Sequence, residues 1–442
     1  MAFKSAKIVF LATMTFLQAD IQCQNNEWID LVSSNGKKWM ECVPPSVSVN
    51  FKPSSQTYMP SIHPTVYHKD NKVLYIFDLS KNGKFLNAAK YDLLQIDGNY
   101  TGCKVALADR NYFQKEDNYP LILKDGKSNL SALFSHLDLR LLKYLVMIAP
   151  KHQNIKINSI KFSKRASVNK TQLPLSTWIW NPQKTHFPHR IERFYIQIRH
   201  GFKELTQNIL YANSNNEVFG LDGSPDNILD FKQLEEDIVY LSELKKRGIS
   251  IEGFQIDVEP YLLPNFKKNE TIYYLKYLNM IQKLSHLAHE KNLKFSIVIP
   301  FWFDAVYINQ RSLAYQVVDL ADETVLMSYR SNPKEVIVIS EDILSYAQAK
   351  EKKVRIGMEM KKIEDEEHRL YRQDKKLPCI SNHLFQKSCT PLVFVRSYQV
   401  KGSSISFYKQ YEKAKELLKT QIPYHSFSGF VIHDSEAVDV LF

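Results

Sequence analysis

Residues 251–260, IEGFQIDVEP, set Asp257 and Glu259 two positions apart in an otherwise apolar run. On a β-strand, residues i and i+2 share a face, so Gln255, Asp257 and Glu259 point the same way, with about 7 Å between successive side chains on that face. Two acids that close in a low-dielectric setting cannot both ionise cheaply, and the pKa of one rises. A carboxyl that keeps its proton near neutral pH is what general acid catalysis needs to protonate a leaving oxygen. Acids buried on a strand are costly without such a role.

Those acids need a frame that ends several strands at one place. From residue 166 onward, apolar runs alternate with amphipathic helical stretches, the rhythm of a parallel α/β fold. Eight strands are predicted, at 175–181, 193–198, 217–223, 251–260, 294–302, 323–330, 353–360 and 427–434. Between the third and fourth, Leu234, Ile238, Leu241 and Leu244 share one helix face, and Gly248 stands where a left-handed cap belongs. Between the fourth and fifth, Asn269 reads as an N-cap for a helix burying Ile272, Leu275, Leu278, Ile281 and Leu284. Eight strands with helical crossovers predict a (β/α)8 TIM barrel over 166–442. A doubly wound open sheet is the alternative, but no Gly-rich phosphate loop follows the first strand.

Catalytic groups of such a barrel come from the carboxyl ends of its strands. The candidates there are Trp178 and Trp180 on the first strand, Asp222 on the third, Asp257 and Glu259 on the fourth with Tyr261 just beyond, and Trp302 and Asp304 on the fifth. Tyr329 and Arg330 follow on the sixth, Glu359 on the seventh, and His433 and Asp434 on the eighth. The aromatic members have flat faces that can stack on sugar rings.

Ahead of the barrel, residues 20–165 hold short β-rich runs broken by turn residues and few helical stripes. This predicts an N-terminal β-sandwich of roughly eight strands, jelly-roll-like, so that the chain is a multidomain α+β protein. Its last two strands, read as a hairpin, resemble the closing strands of jelly-roll carbohydrate-binding modules.

Lys4 and Lys7 precede the apolar run IVFLATMTFLQA, the pattern of a signal peptide over 1–19 cleaved near Ala19. No later run is long enough for a membrane span, so a secreted or periplasmic protein without stable membrane insertion is expected. In an oxidising compartment the simplest disulfide pairing is Cys42 with Cys103 and Cys379 with Cys389; the sequence allows the other two pairings, and Cys23 can compete for Cys42. Neither pair has C-x-x-C spacing or His partners, so no metal is expected, and no cofactor. The net charge is +11, but the lysines and arginines are scattered, which points to a solvated basic surface and away from nucleic acid.

The segment EGFQIDVE resembles the D-G-x-D-x-D-x-E strand of family 18 glycoside hydrolases, the chitinases and endo-N-acetylglucosaminidases, with Gly253, Asp257 and Glu259 in register. MSYR at the end of the sixth strand resembles that family's M-x-Y-D, with Tyr329 on the tyrosine. The resemblance implies a secreted enzyme acting on a carbohydrate. Glu259 would be the proton donor, Asp257 would orient an N-acetyl group that attacks its own anomeric carbon, and Tyr329 would steady the acetamido oxygen. Glu252, Gln255 and Arg330 replace the family's acids, and the eighth strand lacks its tryptophan. These departures bear on the identity of the sugar.

DVEP and GMEM also resemble the acid/base and nucleophile strand ends of two-carboxylate retaining glycosidases, in which Glu259 and Glu359 would stand ~5–5.5 Å apart. A catalytically idle barrel that binds glycan or a protein partner is the reading from a different class. An esterase or phosphodiesterase is disfavoured by the lack of G-x-S-x-G and of a metal cluster.

Overall fold

The computed structural model describes residues 28–43, most of 57–108, 127–130, most of 142–163, most of 175–198, and, apart from isolated positions, 216–373 and 392–441. Its centre is a closed barrel of eight parallel strands. These are β1 (Leu175–Ile179), β2 (Arg193–Gln197), β3 (Glu217–Asp222), β4 (Gly253–Ile256), β5 (Lys294–Pro300), β6 (Glu323–Met327), β7 (Lys353–Glu359) and β8 (Phe427–His433). All eight coincide with the runs predicted from sequence. The helices α1 (Lys232–Lys246), α2 (Glu270–Glu290), α3 (Leu313–Leu320), α4 (Pro333–Ala349) and α5 (Tyr411–Lys419) lie between successive strands from β3 onward. This is the TIM-barrel form. No described helix is long and apolar enough to cross a membrane.

Strand alternation sorts the barrel's apolar residues into two cores. Inward positions Trp178, Tyr195, Phe219, Leu221, Val298, Val325, Met327, Tyr329 and Val431 form the axial cluster. Outward positions such as Ile179, Phe254, Ile256 and Ile432 join the helices in the larger cluster. The floor is ionic: the Glu323 carboxylate accepts from Arg193 Nη1 at 2.7 Å, Arg355 Nε at 2.9 Å and Tyr195 Oη at 2.7 Å. Burial pushes Glu323 up, but Arg355 and Arg193 outweigh it and hold the carboxyl at about 2.

α1 buries Leu234, Ile238, Leu241 and Leu244 as expected, and Gly248 takes φ +89° after it. The register of α2 differs from the reading. Its buried face is Tyr274, Tyr277, Ile281, Leu284 and Ala288, while Ile272 and Leu275 are exposed at 54% and 42% and Leu278 is half-buried. A stripe counted only on aliphatic residues drifts by part of a turn; the two tyrosines bury more apolar area and decide the facing.

Eight strands between residues 57 and 163 form two four-stranded antiparallel sheets. Residues from both, including Phe77, Met147, Leu94 and Phe162, belong to one buried cluster. Two expectations fail here. Tyr144–Pro150 and Lys156–Ser163, read as a hairpin, lie in different sheets, the first beside Lys72–Asp78 and the second beside Leu93–Asn99. The hairpin Trp28–Ser34 and Lys37–Val43, assigned to the N-terminal unit, instead pairs with Glu366–Gln373, itself paired with Leu392–Val400, two strands inserted between β7 and β8.

The expected pairing of Cys42 with Cys103 is not formed. Cys42 lies on a strand of the insertion's sheet, whereas Cys103 sits between Leu93–Asn99 and Lys104–Ala108 and has a free thiol. Cys379 and Cys389 lie outside the described residues, as do residues 1–19 and Asp434.

Candidate active site

Strand β4 ends at Ile256, and the chain then runs through Asp257 and Glu259 into a short turn, Pro260–Leu262, started by Pro260. Below them Gln255 is fully buried in the barrel. Its Oε1 accepts from Trp178 Nε1 at 2.6 Å, and its Nε2 donates to Ser296 Oγ at 2.8 Å. This links the mouth of the barrel to the ionic floor, where Ser296 Oγ lies 3.5 Å from Glu323 Oε1. Asp257 is placed by its backbone N–H, which donates to Asp222 O at 3.1 Å. Gly223 makes that approach feasible, since a Cβ there would stand 2.2 Å from Asp257 O.

Both acids are raised, not one. Burial pushes Asp257 well above the usual carboxylate range, and the neighbouring Glu259 charge adds to it. Burial also raises Glu259, to about 7, against two opposing influences: a hydrogen bond donated by Tyr261 Oη and the proximity of His433. Glu259 stands beyond the carboxyl end of β4, in electrostatic reach of His433 on β8 and of Tyr329 after β6. Tyr329 is 7% exposed, and burial followed by the charges of Glu359, Asp257 and Glu259 raises its hydroxyl.

Glu359 and His433 are register partners on adjacent strands. His433 Nδ1 lies 2.8 Å from Glu359 Oε2, and Glu359 Oε1 accepts from the Lys361 backbone N–H at 2.7 Å. With 1% exposure and both oxygens engaged, Glu359 is built to orient His433. The imidazole stacks on Tyr329 at 6.4 Å and meets the edge of Trp178 at 5.8 Å between centroids. Sequence reading placed these residues separately at strand ends; the register makes them one cluster.

The aromatic candidates are less open than expected. Trp178, Trp302 and Tyr261 are 3%, 8% and 5% exposed. Trp178 floors the mouth within the axial cluster, with Trp180 half-buried against it. Tyr261 and Trp302 meet each other edge-on at 4.9 Å. Asp222 Oδ1 accepts from the Gly223 N–H at 2.8 Å and so shapes the turn. Asp304 is half-buried in the short helical turn Phe301–Ala305. Arg330 donates to Tyr329 O at 2.7 Å and lies over the Phe301 ring. Glu252, in the place of the family's first acid, pairs with Lys294 at 2.9 Å.

The insertion packs on the barrel where it leaves and rejoins it. Ile363 and Val400, at its two feet, pack against the axial cluster, and Gly402 crosses so close to Ile363 that a Cβ would stand 1.8 Å from its carbonyl oxygen. Sequence reading missed these contacts and also Tyr277, a buried helical residue with both acids in electrostatic reach. The only available signal was its place on the aromatic stripe of α2.

No protein-family model matches the chain, and no curated protein matches it. Among solved structures it is similar to a class V chitinase mutant from the plant Cycas revoluta, solved in complex with (GlcNAc)3, at 11% identity, over 60% of this chain and 97% of that one, with a TM-score of 0.34. It is similar to the spore cortex-lytic enzyme of Bacillus megaterium at 12% identity, over 64% and 75% of the two chains, with a TM-score of 0.32. Against catalytic domain 2 of an Ostrinia furnacalis group II chitinase the identity is 9%, the TM-score 0.30, and the match covers 42% of this chain and 64% of that one.

Proposed function

We propose that the chain is a secreted glycoside hydrolase that cleaves an N-acetylhexosamine-containing glycan by substrate-assisted retention. The reading is carried by the half-buried Asp257 and Glu259 pair beyond the carboxyl end of β4, where desolvation raises both carboxyls, Glu259 to about 7, with Tyr329 in electrostatic reach. Glu259 holds the proton for the leaving oxygen at near-neutral pH. Asp257, one layer deeper, faces the developing positive charge on the acetamido group, and the Tyr329 hydroxyl hydrogen-bonds that group's oxygen. The His433 ring, held by Glu359, replaces the missing tryptophan as part of the floor under the sugar. Glu359, whose oxygens contact His433 Nδ1 and the Lys361 N–H, serves as an orienting group in this mechanism, and the two-carboxylate mechanism is the alternative.

The test is turnover of aryl β-glycosides and β-linked N-acetylglucosamine oligomers by the mature protein and by Glu259→Gln, Asp257→Asn and Glu359→Gln. The expected order is loss of about 10²-fold or more in kcat for the first two, the scale of removing an acid catalyst or a transition-state partner, and a smaller loss for Glu359→Gln. No turnover by the native protein above Glu259→Gln on any sugar would reassign the barrel to glycan or protein binding. Loss at Glu359 as deep as at Glu259, with Asp257→Asn active, would restore the two-carboxylate mechanism.

A further inference from the structure

The Trp178 indole lies across the barrel lumen and is held from several strands. From β1 its Nε1–H donates to Gln255 Oε1 on β4 at 2.6 Å, although β2 and β3 separate those strands in the ring. Its far ring edge meets β7 at Gly357, where a Cβ would stand 3.1 Å from Trp178 Cη2 and 3.0 Å from Leu326 O. From β8, His433 meets the indole edge to face at 5.8 Å between centroids, and the same imidazole stacks on Tyr329. Gln255 and the Ser296 it also contacts are both fully buried, so water does not compete for these bonds.

The partners fix which way each group turns. An indole N–H only donates, so the Gln255 oxygen must face it, and the amide N–H₂ then donates to Ser296 Oγ at 2.8 Å. Ser296 Oγ accepts that bond, which turns its own proton towards Glu323 Oε1, 3.5 Å away. Glu323, paired with Arg193 and Arg355, is ionised and only accepts. The donors therefore run one way, from Trp178 to the ionic floor, and a buried polar network with its members satisfied specifies a single arrangement. Gln255 also shares its strand face with Asp257 and Glu259. A carboxyl at this position would stand directly beneath the pair; the amide makes the same contact without a charge.

We propose that Gln255 is a positioning residue with two separable roles: its oxygen pins the Trp178 indole against which His433 and Tyr329 pack, and its neutrality keeps a third acid away from Asp257 and Glu259. It acts through Trp178 and touches no reacting atom. The catalytic consequence rests on the hydrolase reading; the clamp on the indole does not. The titratable and charged groups around Gln255 are Asp257 on its own strand, Tyr195, Glu323, Arg193 and Arg355 in the floor reached through Ser296, and His433 against the far side of Trp178.

The test uses the full mature chain and two NMR readouts independent of turnover: hydrogen exchange of the Trp178 indole N–H, and titration of the Asp257 and Glu259 carboxyl carbons. Gln255→Met removes the acceptor and stays neutral, so indole exchange should quicken about tenfold or more while the carboxyl titrations stay in place. Gln255→Glu keeps an acceptor and adds an acid, so exchange should stay slow while the pair titrates about half a pH unit or more higher. On a sugar that the native protein turns over, Gln255→Met should lower kcat/KM about 3–10-fold with its pH limbs unmoved, the scale of one hydrogen bond. Indole exchange unchanged in Gln255→Met, or carboxyl titrations unmoved in Gln255→Glu, would overturn the proposal. Should Gln255→Met not fold, fast indole exchange in Gln255→Glu would overturn it by itself. A native protein inactive on every sugar would strike the hydrolase reading alone, since both NMR readouts remain.

Discussion

Replacing Glu259 with glutamine should stabilise the protein at alkaline pH while removing its proton donor. Glu259 is raised from an ordinary 4.5 to about 7 in the folded chain. Between those values the folded state holds a proton that the unfolded state has released, so stability falls as pH rises through that window. The difference, at about 1.4 kcal/mol per unit, makes the ionised carboxylate cost about 3 kcal/mol once pH exceeds both values. Glutamine avoids that cost and still accepts the Tyr261 hydroxyl through its own oxygen. The assay is denaturant unfolding of the native protein and Glu259→Gln at pH 4 and pH 8.5. Near-equal stability at pH 4 is expected, with the variant ahead by about 2–3 kcal/mol at pH 8.5. A variant that is no more stable at pH 8.5 than at pH 4, each relative to the native chain, would refute burial of this acid.

Two further outcomes follow from the same geometry. Tyr261→Phe removes a hydrogen bond to the ionised Glu259, so the alkaline limb of kcat/KM should move upward by about one pH unit, since hydrogen bonds to charged groups contribute about 1.5–3 kcal/mol; a limb that stays or moves down counts against it. Glu323→Leu leaves the Arg193 and Arg355 guanidiniums uncompensated in the barrel floor and should cost about 3–5 kcal/mol in unfolding experiments. In the native protein Glu323's contribution is fully present above about 4.5 and is lost as pH falls through about 2, so the variant's deficit should shrink over that acidic window.

The eight barrel strands were legible because short apolar runs bounded by turn residues and helical stretches are local signals, and the i,i+2 spacing placed Asp257 and Glu259 on one face without any tertiary information. α1 was legible for the same reason, with four aliphatic residues and a terminal glycine. α2 was not, because Tyr274 and Tyr277 compete with Ile272 and Leu275 for the buried face, and only the shape of the receiving surface around Phe303 settles that competition.

Pairings distant in the chain lie beyond local pattern. The union of Trp28–Val43 with strands some 330 residues later rests on long-range strand register. Likewise, Glu359 and His433 read as two independent strand-end residues until the β7–β8 register sets them side by side. The sequence by itself determined the strand alternation, the acid pair and the face it shares. Tertiary structure alone decided which rings bury those acids, which raises both their pKa values, because desolvation depends on atoms that converge from β4, β6, β8 and α2.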